Sequence, residues 1–319
     1  MASATLPTTQ LGSTGLEVTR IGFGAWAIGG GDWVFGWGPQ EDAASIATIH
    51  RALELGINWI DTAAAYGFGH SESVVARALE GVRERPLLFT KAGILRGPDG
   101  GAVRSLKRDS IVREAHDSLQ RLRVDAIDLY QIHWPIPDED VEEAWGAFAE
   151  LRDQGLVHHI GVSNFSVEQI RRAAQIAPVE TLQPPYSLIG RDAEAELLPF
   201  CEREGIGVIV YSPMGSGMLT GRMTRERIDA LPAEDWRRRS DNFREPKLTA
   251  NLEAVERLKA VAERLACAPG AVAVAWTLRN PAVDAAIVGF RDPGQLDPIM
   301  AGVSLELTDA DAAELEGPR

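Results

Sequence analysis

The sequence predicts a single (β/α)₈ barrel, because short apolar strands alternate with amphipathic helices along nearly all of its 319 residues. Strict alternation implies parallel strands joined by right-handed crossovers. Eight strands in a chain of this length favour a closed barrel over an open sheet. An open sheet with a dinucleotide site would place a glycine-rich turn directly before a helix. The glycine-rich stretch at 22–31 has no helix immediately after it, which disfavours that alternative.

The elements begin with a β-hairpin around Ser13-Thr14-Gly15, which leads into a first barrel strand near Arg20 to Ala25. Runs rich in β-branched and aromatic residues predict the other strands, at 57–61, 86–91, 125–133, 156–163, 179–183, 206–211 and 284–289. Amphipathic segments predict the helices, at 41–55, 71–80, 108–121, 140–153, 166–176, 192–204, 250–266 and 293–301. Ser166, just before VEQI, is typical of a helix start.

Two oversized loops follow the first and seventh strands, at residues 26–40 and 212–248. Long loops in compact domains are usually functional lids or disordered segments. Because both loops follow strands, a barrel places them at its C-terminal face, where barrel active sites lie. The chain has no linker and no low-complexity tract, so residues 1–319 are predicted to form one domain.

The composition restricts the classes of partner. Lysine and arginine total 32 against 46 aspartates and glutamates, a net charge of −14, which argues against nucleic-acid and anionic-membrane partners. The two cysteines, Cys201 and Cys267, fit no metal-ligand spacing and favour a reducing compartment. The first residues lack the pattern of a signal peptide, and no apolar run reaches the roughly 20 residues of a membrane span. The predicted location is the cytoplasm.

Four chemically complementary side chains stand where predicted strands end. Asp61 ends the second strand, Tyr66 follows five residues later, Lys91 ends the third strand, and His133 ends the fourth. Each alone has an ordinary structural explanation, such as a turn cap or a solvated lysine. Because the carboxyl ends of parallel strands meet at one face of a barrel, the four are expected to converge there.

This set predicts proton transfer by Tyr66. A free tyrosine has a pKa of about 10, and bringing it near neutrality requires roughly 4 kcal/mol. One ammonium about 4 Å away, in an effective dielectric of about 20, contributes about that much, so Lys91 is expected to lower the pKa of Tyr66. Asp61 would keep Lys91 charged despite burial, and His133 would align a carbonyl oxygen. No Ser–His–Asp, Cys–His or metal-ligand pattern is present, which leaves hydride from a bound nicotinamide as the second reactant.

Across the whole chain, the motifs DTAAAYG, LLFTKAG, IDLYQIHWP, GVSNF, YSPMGSGMLTG and IVGFRDPGQL resemble those of the aldo-keto reductases. The stretch GGGDWVFGWGPQ further resembles the bacterial inositol-utilisation branch of that family. The resemblance implies a (β/α)₈ barrel that binds extended NADP(H) without a Rossmann motif. It places the family's catalytic tetrad on Asp61, Tyr66, Lys91 and His133, with Tyr66 as general acid in reduction and general base in oxidation.

The resemblance also implies the cofactor-binding residues. Ser163, Asn164 and Gln183 are expected on the nicotinamide carboxamide, and Tyr211 is expected to stack on the ring. The remaining predicted contacts are the pyrophosphate loop residues Ser212, Pro213, Met214, Gly215, Gly217 and Arg222, and the adenosine and 2′-phosphate residues Gly289, Arg291 and Gln295. Arg291 favours NADP(H) over NAD(H), because its positive charge pairs with the 2′-phosphate. The chain departs from the family pattern at Val288 and Ile299, where proline and asparagine are usual.

Tryptophans in the predicted rim loops suggest the substrate. Trp26, Trp33, Trp37 and Trp134 are predicted to form a flat apolar wall for a sugar-like or aromatic carbonyl. The predicted function is therefore NADP(H)-dependent reduction of aldehyde, ketone or sugar carbonyls to alcohols, or the reverse. Two alternatives remain open: a slow-turnover NADP-binding redox-sensing subunit, and a Schiff-base aldolase that uses Lys91 as nucleophile.

Overall fold

Short apolar runs form the barrel strands because both faces of each strand are covered, one by the barrel interior and one by helices. The computed structural model describes residues 6–31 and 35–317. Its strands are β1 Thr8–Gln10, β2 Glu17–Thr19, β3 Ile21–Gly24, β4 Trp59–Asp61, β5 Leu87–Ala92, β6 Ile94–Arg96, β7 Ala102–Arg104, β8 Ile127–Ile132, β9 Val157–Ser163, β10 Thr181–Gln183, β11 Gly207–Tyr211 and β12 Ala285–Gly289. Eight of them close into a parallel barrel in the order β3-β4-β5-β8-β9-β10-β11-β12, which confirms the predicted fold class.

Helices connect the barrel strands and pack around them. They are α1 Asp42–Glu54, α2 His70–Ala78, α3 Arg108–Leu122, α4 Val141–Asp153, α5 Val167–Ala173, α6 Leu197–Glu204, α7 Arg225–Asp229, α8 Lys247–Arg264, α9 Pro269–Leu278, α10 Leu296–Met300 and α11 Asp309–Glu316. Ser166 caps α5 by accepting from the backbone N–H of Gln169, whose side chain accepts in return from the Ser166 N–H. This reciprocal capping agrees with the start predicted for that helix.

The N-terminal hairpin closes the lower end of the barrel. Its strands β1 and β2 pair antiparallel, and Leu11 and Val18 join an interior cluster with Trp59, Phe89 and other barrel residues. Trp59 lies so close to Gly22 that a Cβ at position 22 would collide with its ring. The lower end is therefore filled by side chains, which leaves the opposite, C-terminal end as the open face.

The structure corrects the prediction at three places. Helix α9 was not predicted, because residues 270–278 are all buried and show no polar face to reveal a helical period. The short helix α11, capped by Thr308, was also missed. The loop after β5 contains an unpredicted antiparallel hairpin, β6–β7. The two oversized loops do follow β3 and β11, and the second contains 3₁₀ turns and the short helix α7.

Among the described residues no single helix has the length and apolar character to cross a membrane. Helices α8 and α9 meet those criteria only together, across a bend of 98°.

A buried carboxyl between α3 and the barrel predicts a pH-dependent stability. Glu114 is 3% exposed and accepts hydrogen bonds from the Gly93 N–H at 3.0 Å and the Ser110 hydroxyl at 3.3 Å. Burial raises the pKa of Glu114 to about 7, whereas an unfolded glutamate titrates at about 4.3. The folded state therefore holds this proton more tightly, and the associated stabilisation is lost as pH rises through 7.

We expect the free energy of unfolding of the wild type, relative to Glu114→Gln, to fall by about 2–4 kcal/mol between pH 4.5 and pH 7.5. Urea denaturation of both proteins across that range measures the difference. The Glu114→Gln variant keeps an oxygen acceptor for the Gly93 N–H. Because it retains every other titrating group, it is the control for their contribution to the pH dependence. Parallel curves for the two proteins would show that Glu114 does not titrate in this range.

Candidate active site

The four predicted strand-end residues meet at the C-terminal face of the barrel. Strands β4 and β5 are neighbours, which brings Asp61 and Lys91 together, and β8 pairs with β5 beside them. The Lys91 ammonium donates to the Asp61 carboxylate at 2.5 Å and to the Tyr66 hydroxyl at 3.3 Å. The His133 ring lies edge-on to Tyr66 with the ring centroids 5.7 Å apart. The convergence expected from the sequence is therefore present in the structure.

Burial lowers the pKa of Lys91, and the charge of Asp61 and the hydrogen bond to it oppose that shift and favour the ammonium form. Lys91 is 1% exposed, and its Nζ has three acceptors: Asp61 Oδ1, the Thr62 carbonyl oxygen at 2.9 Å, and the Tyr66 oxygen. Three acceptors match the three N–H donors of a protonated lysine. Because Lys91 donates to the Tyr66 oxygen, the phenol's own proton must point to a different atom.

The second oxygen of Asp61 is supported from inside the barrel. Gln183 donates its amide N–H to Asp61 Oδ2 at 2.8 Å, and Gln131 lies 3.5 Å from the same oxygen. Gln183 also donates to Gln131 Oε1 at 3.3 Å. Gln183 was predicted to contact a nicotinamide carboxamide, but in this structure its amide nitrogen donates to Asp61. Sequence reasoning missed Gln131, a polar residue in the middle of the apolar strand IDLYQI.

The expected lowering of the Tyr66 pKa by Lys91 is wrong for this arrangement. Tyr66 is 8% exposed, and burial together with the charge of Asp61 raises the pKa of its phenol well above the usual value. Asp61 contacts Lys91 directly, so the pair is close to neutral and the ammonium exerts little net field on the phenol. The carboxylate that keeps the lysine charged thus cancels most of its effect. Tyr66 is consequently a protonated donor across the neutral range.

His133 is a neutral imidazole in this site. Burial, followed by the charges of Lys91 and Arg104, lowers the pKa of His133 well below its usual value. Its Nδ1 is buried and has no hydrogen-bond partner within the part of the chain described. A buried nitrogen without a partner carries an energetic cost, which a bound oxygen ligand or water would remove. Arg104 belongs to the unpredicted β6–β7 hairpin, so that hairpin contributes to the electrostatics of the site.

The ends of β9 and β11 form a second polar group beside the tetrad. Asn164 donates to the His133 carbonyl oxygen at 2.9 Å and to the Ser163 hydroxyl at 3.0 Å. Tyr211 donates its hydroxyl to Asn164 Oδ1 at 2.8 Å. Asn164 adopts a left-handed backbone conformation (φ 63°), which is uncommon outside glycine and recurs at functional sites. The structure thus brings together all four residues predicted around a nicotinamide, since the Gln183 carbonyl oxygen accepts from the Ser163 hydroxyl at 2.8 Å and from the Asn164 backbone N–H at 3.2 Å.

The segment that follows β11 is a tight turn with several left-handed residues. Ser212, Gly215, Ser216 and Gly217 all have positive φ values, which interrupt a 3₁₀ turn over Gly215–Thr220. These conformations fold the backbone tightly, and the N–H groups of Gly215 and Gly217 donate to the carbonyl oxygens of Ser212 and Met214 within the turn. Within the predicted set, Pro213 is buried, Met214 is partly buried and Arg222 is exposed.

Arg291, which was predicted to contact a 2′-phosphate, is hydrogen-bonded to the first long loop. Its guanidinium donates to Gln40 Oε1 at 2.8 Å and to the carbonyl oxygens of Trp37 at 2.8 Å and Pro39 at 2.5 Å. Gln295 accepts from the Arg291 backbone N–H at 2.9 Å. Burial and the nearby Arg237 lower the pKa of Arg291.

Three more residues of the predicted adenosine region lie in β12 or in the helix that follows it: Val288, Gly289 and Ile299. Gly289 ends the strand and is exposed. Val288 and Ile299, which replace the usual proline and asparagine, are buried in the apolar core.

Aromatic rings cover the site from the side of the long loops. Trp26 stacks near Tyr66 at 6.4 Å and on Trp236 at 5.2 Å, and Trp37 meets both indoles edge-on. Trp236 was not predicted, although a tryptophan in the oversized loop after the seventh strand was a usable signal. Of the other predicted wall residues, Trp33 lies outside the described residues and Trp134 is 36% exposed.

Comparison with known proteins places this geometry in context. The sequence profile described as the aldo/keto reductase family matches residues 20–317. The chain is 39% identical over 310 residues to aldo-keto reductase YhdN of Bacillus subtilis, covering 96% of this chain and 92% of that protein. It is 34% identical to the NADH-specific methylglyoxal reductase of Escherichia coli, covering 95% of each. Neither relative is described as an inositol-utilisation protein, so that branch placement is not confirmed.

A solved structure agrees with these relatives. The glycerol dehydrogenase AKR11B4 from Gluconobacter oxydans superimposes with a TM-score of 0.85 at 36% identity, over 98% of this chain and 93% of that one.

Proposed function

Because the chain belongs to the aldo/keto reductase family, we propose that it interconverts carbonyl compounds and alcohols with NADP(H), using Tyr66 as the proton donor in reduction. The observation that carries this proposal is the contact between the buried Lys91–Asp61 pair and the Tyr66 hydroxyl, next to neutral His133. The proposed substrates are aldehydes, ketones and sugar carbonyls. The similarity to a methylglyoxal reductase and to a glycerol dehydrogenase supports small oxygen-rich substrates.

The residues at the open face fit a nicotinamide dinucleotide. Gly215 and Gly217 permit close approach of a pyrophosphate to the backbone, and Asn164 and Ser163 carry amide and hydroxyl groups that would pair with a carboxamide in exchange for their present partners. Tyr211 offers a flat ring beside them, and Arg291 carries the positive charge for a 2′-phosphate once it leaves its loop acceptors. When bound, the nicotinamide supplies the hydride for reduction or accepts it in oxidation.

Three side chains would act at the carbonyl oxygen of the substrate, each in a different role: His133, Tyr66 and Lys91. Neutral His133 can donate a hydrogen bond that polarises the carbonyl, and the protonated Tyr66 can transfer its proton to the developing alkoxide. Lys91 then stabilises the phenolate through its direct N–H contact with the Tyr66 oxygen. Tyr66 and Lys91 are buried and His133 is partly buried, which limits the access of bulk water to the transfer.

The aldolase alternative is disfavoured by the environment of Lys91. An amine must be unprotonated to attack a carbonyl, whereas the Lys91 nitrogen faces three acceptors, one of them a carboxylate at 2.5 Å. Borohydride treatment with a carbonyl substrate is expected to leave Lys91 unmodified, as mass spectrometry of the intact protein would show.

The primary experiment measures NADPH and NADH consumption with a panel of small aldehydes, ketones and sugars. Steady turnover of at least one carbonyl supports the proposed enzyme. Tight cofactor binding with negligible turnover across the panel would contradict it and favour the redox-sensing subunit. We also propose a cytoplasmic location, which the free thiols Cys201 and Cys267 support.

Trp236 is expected to contribute to the substrate wall. Replacing it with alanine removes the ring that stacks on Trp26 and is expected to raise KM for carbonyl substrates about 3- to 10-fold, because aromatic pairs contribute about 0.5–1.5 kcal/mol beyond their buried area. Steady-state kinetics with the preferred substrate measures the change. Trp236→Phe retains a ring and should stay near the wild-type KM; an equal loss in both variants would contradict a stacking role.

A further inference from the structure

Arg291 is engaged by the loop that follows the first barrel strand, through donors on all three of its guanidinium nitrogens. Nε donates to Gln40 Oε1, and the two terminal nitrogens donate to the carbonyl oxygens of Trp37 and Pro39. Gln40 returns a bond from its own amide N–H to the Arg291 carbonyl oxygen at 2.9 Å. We call this set, Arg291 with Trp37, Pro39 and Gln40, the arginine latch.

A second arginine reinforces the same loop. Arg237 lies over the Trp37 ring, 4.9 Å from its centroid, and pairs in bidentate fashion with Asp235. Trp37 is therefore held on its face by one guanidinium and at its carbonyl by the other. Asp235 compensates the charge of Arg237, whereas the acceptors of the Arg291 guanidinium are an amide oxygen and two carbonyl oxygens, all neutral.

We propose that the arginine latch sets cofactor discrimination: a 2′-phosphate can recruit Arg291 only by replacing its loop acceptors, and Gln40 determines how much that exchange costs. This inference rests on the proposed function, because it concerns the cofactor of the same site. The chain then distinguishes NADPH from NADH weakly, since much of the gain from the phosphate contact offsets hydrogen bonds already present.

Gln40 is the position at which the latch can be changed in either direction. Its side chain makes two of the latch bonds, whereas the Trp37 and Pro39 contacts use backbone carbonyls that substitution leaves in place. Gln40→Ala removes both side-chain bonds and should free Arg291 for a phosphate. Gln40→Glu converts a neutral acceptor into a carboxylate, which strengthens the hold on the guanidinium.

The test is the ratio of dissociation constants for NADH and NADPH, measured by isothermal titration calorimetry without substrate. We expect the wild type to prefer NADPH by less than about tenfold, Gln40→Ala to increase that preference about tenfold, and Gln40→Glu to decrease it, since one charge-assisted hydrogen bond changes affinity by at least that factor. Affinity for NADH should stay within about twofold in both variants.

Two further proteins complete the experiment. Gln175→Ala, at an exposed helix end away from the latch, is the matched control and should reproduce the wild-type ratio. In the double variant Gln40→Ala/Arg291→Met the gained preference for NADPH should disappear. A preference that survives loss of Arg291, or a ratio unchanged by both Gln40 variants, overturns the latch. Failure of the wild type to bind either cofactor would refute the proposed function and the latch together.

Discussion

Replacing Tyr66 with phenylalanine is expected to lower kcat/KM for carbonyl reduction about 1,000-fold, within the 10²–10⁴-fold range typical of a positioned general acid. The phenylalanine ring fits the same buried space beside Trp26 and His133, so the change removes the hydroxyl and little else. Affinity for NADPH should change by less than about twofold, because the lost group acts on the carbonyl rather than on the cofactor. Steady-state kinetics and calorimetric titration provide the two readouts.

A matched control for this variant is Tyr130→Phe. Tyr130 is also buried, stacks on Phe148 at 4.7 Å, and has a hydroxyl without a hydrogen-bond partner in the described residues. Its ring faces away from the site chemistry, so activity should stay close to that of the wild type. Full activity of Tyr66→Phe, or an equal loss in both variants, would rule out Tyr66 as the specific proton donor.

The second large effect is expected from the buried ion pair. Asp61→Asn leaves the Lys91 ammonium 1% exposed and without its charge partner, so we expect the free energy of unfolding to fall by about 3–5 kcal/mol. The double variant Asp61→Asn/Lys91→Met removes both charges and should recover part of that stability, because no isolated charge remains buried. Urea denaturation at neutral pH measures all three proteins.

The exposed pair between Arg108 and Glu150 is the comparison for this experiment. Its two side chains lie 2.5 Å apart but are about half exposed, so Glu150→Gln should change stability by at most about 1 kcal/mol. An equally small loss of stability for Asp61→Asn would mean that other groups stabilise the buried charge of Lys91. Failure of the double variant to recover stability would place the cost in packing rather than in charge.

Much of the barrel was predictable because its signals are local. Each barrel strand is a short apolar run, and most helices have a polar face. The alternation of strands and helices can therefore be recognised in the sequence without tertiary information. Helix α9 and the β6–β7 hairpin were missed for opposite reasons. The helix is buried on every side and has no polar face, whereas the hairpin strands span three residues each and carry no strong pattern.

The site residues divide in the same way. Asp61, Tyr66, Lys91 and His133 were predicted because parallel strands necessarily bring their carboxyl ends to one face. Gln131 was missed because its role depends on an inward orientation beside Asp61, and Trp236 because the path of a long loop decides its neighbours. The pKa of Tyr66 was predicted in the wrong direction, because tertiary structure decides both the burial of the phenol and its distances from the charges of Asp61 and Lys91.

The sequence by itself determined the closed barrel, the face at which the strand ends meet and the four polar residues that converge there. Those follow from hydrophobic periodicity and strand order, which depend on near neighbours in the chain. Tertiary structure alone decided that Tyr66 remains protonated, that Gln183 supports Asp61, and that Arg291 is held by Gln40. These depend on distances of a few ångströms between residues as many as 251 positions apart, and electrostatic and hydrogen-bond energies change steeply over such distances.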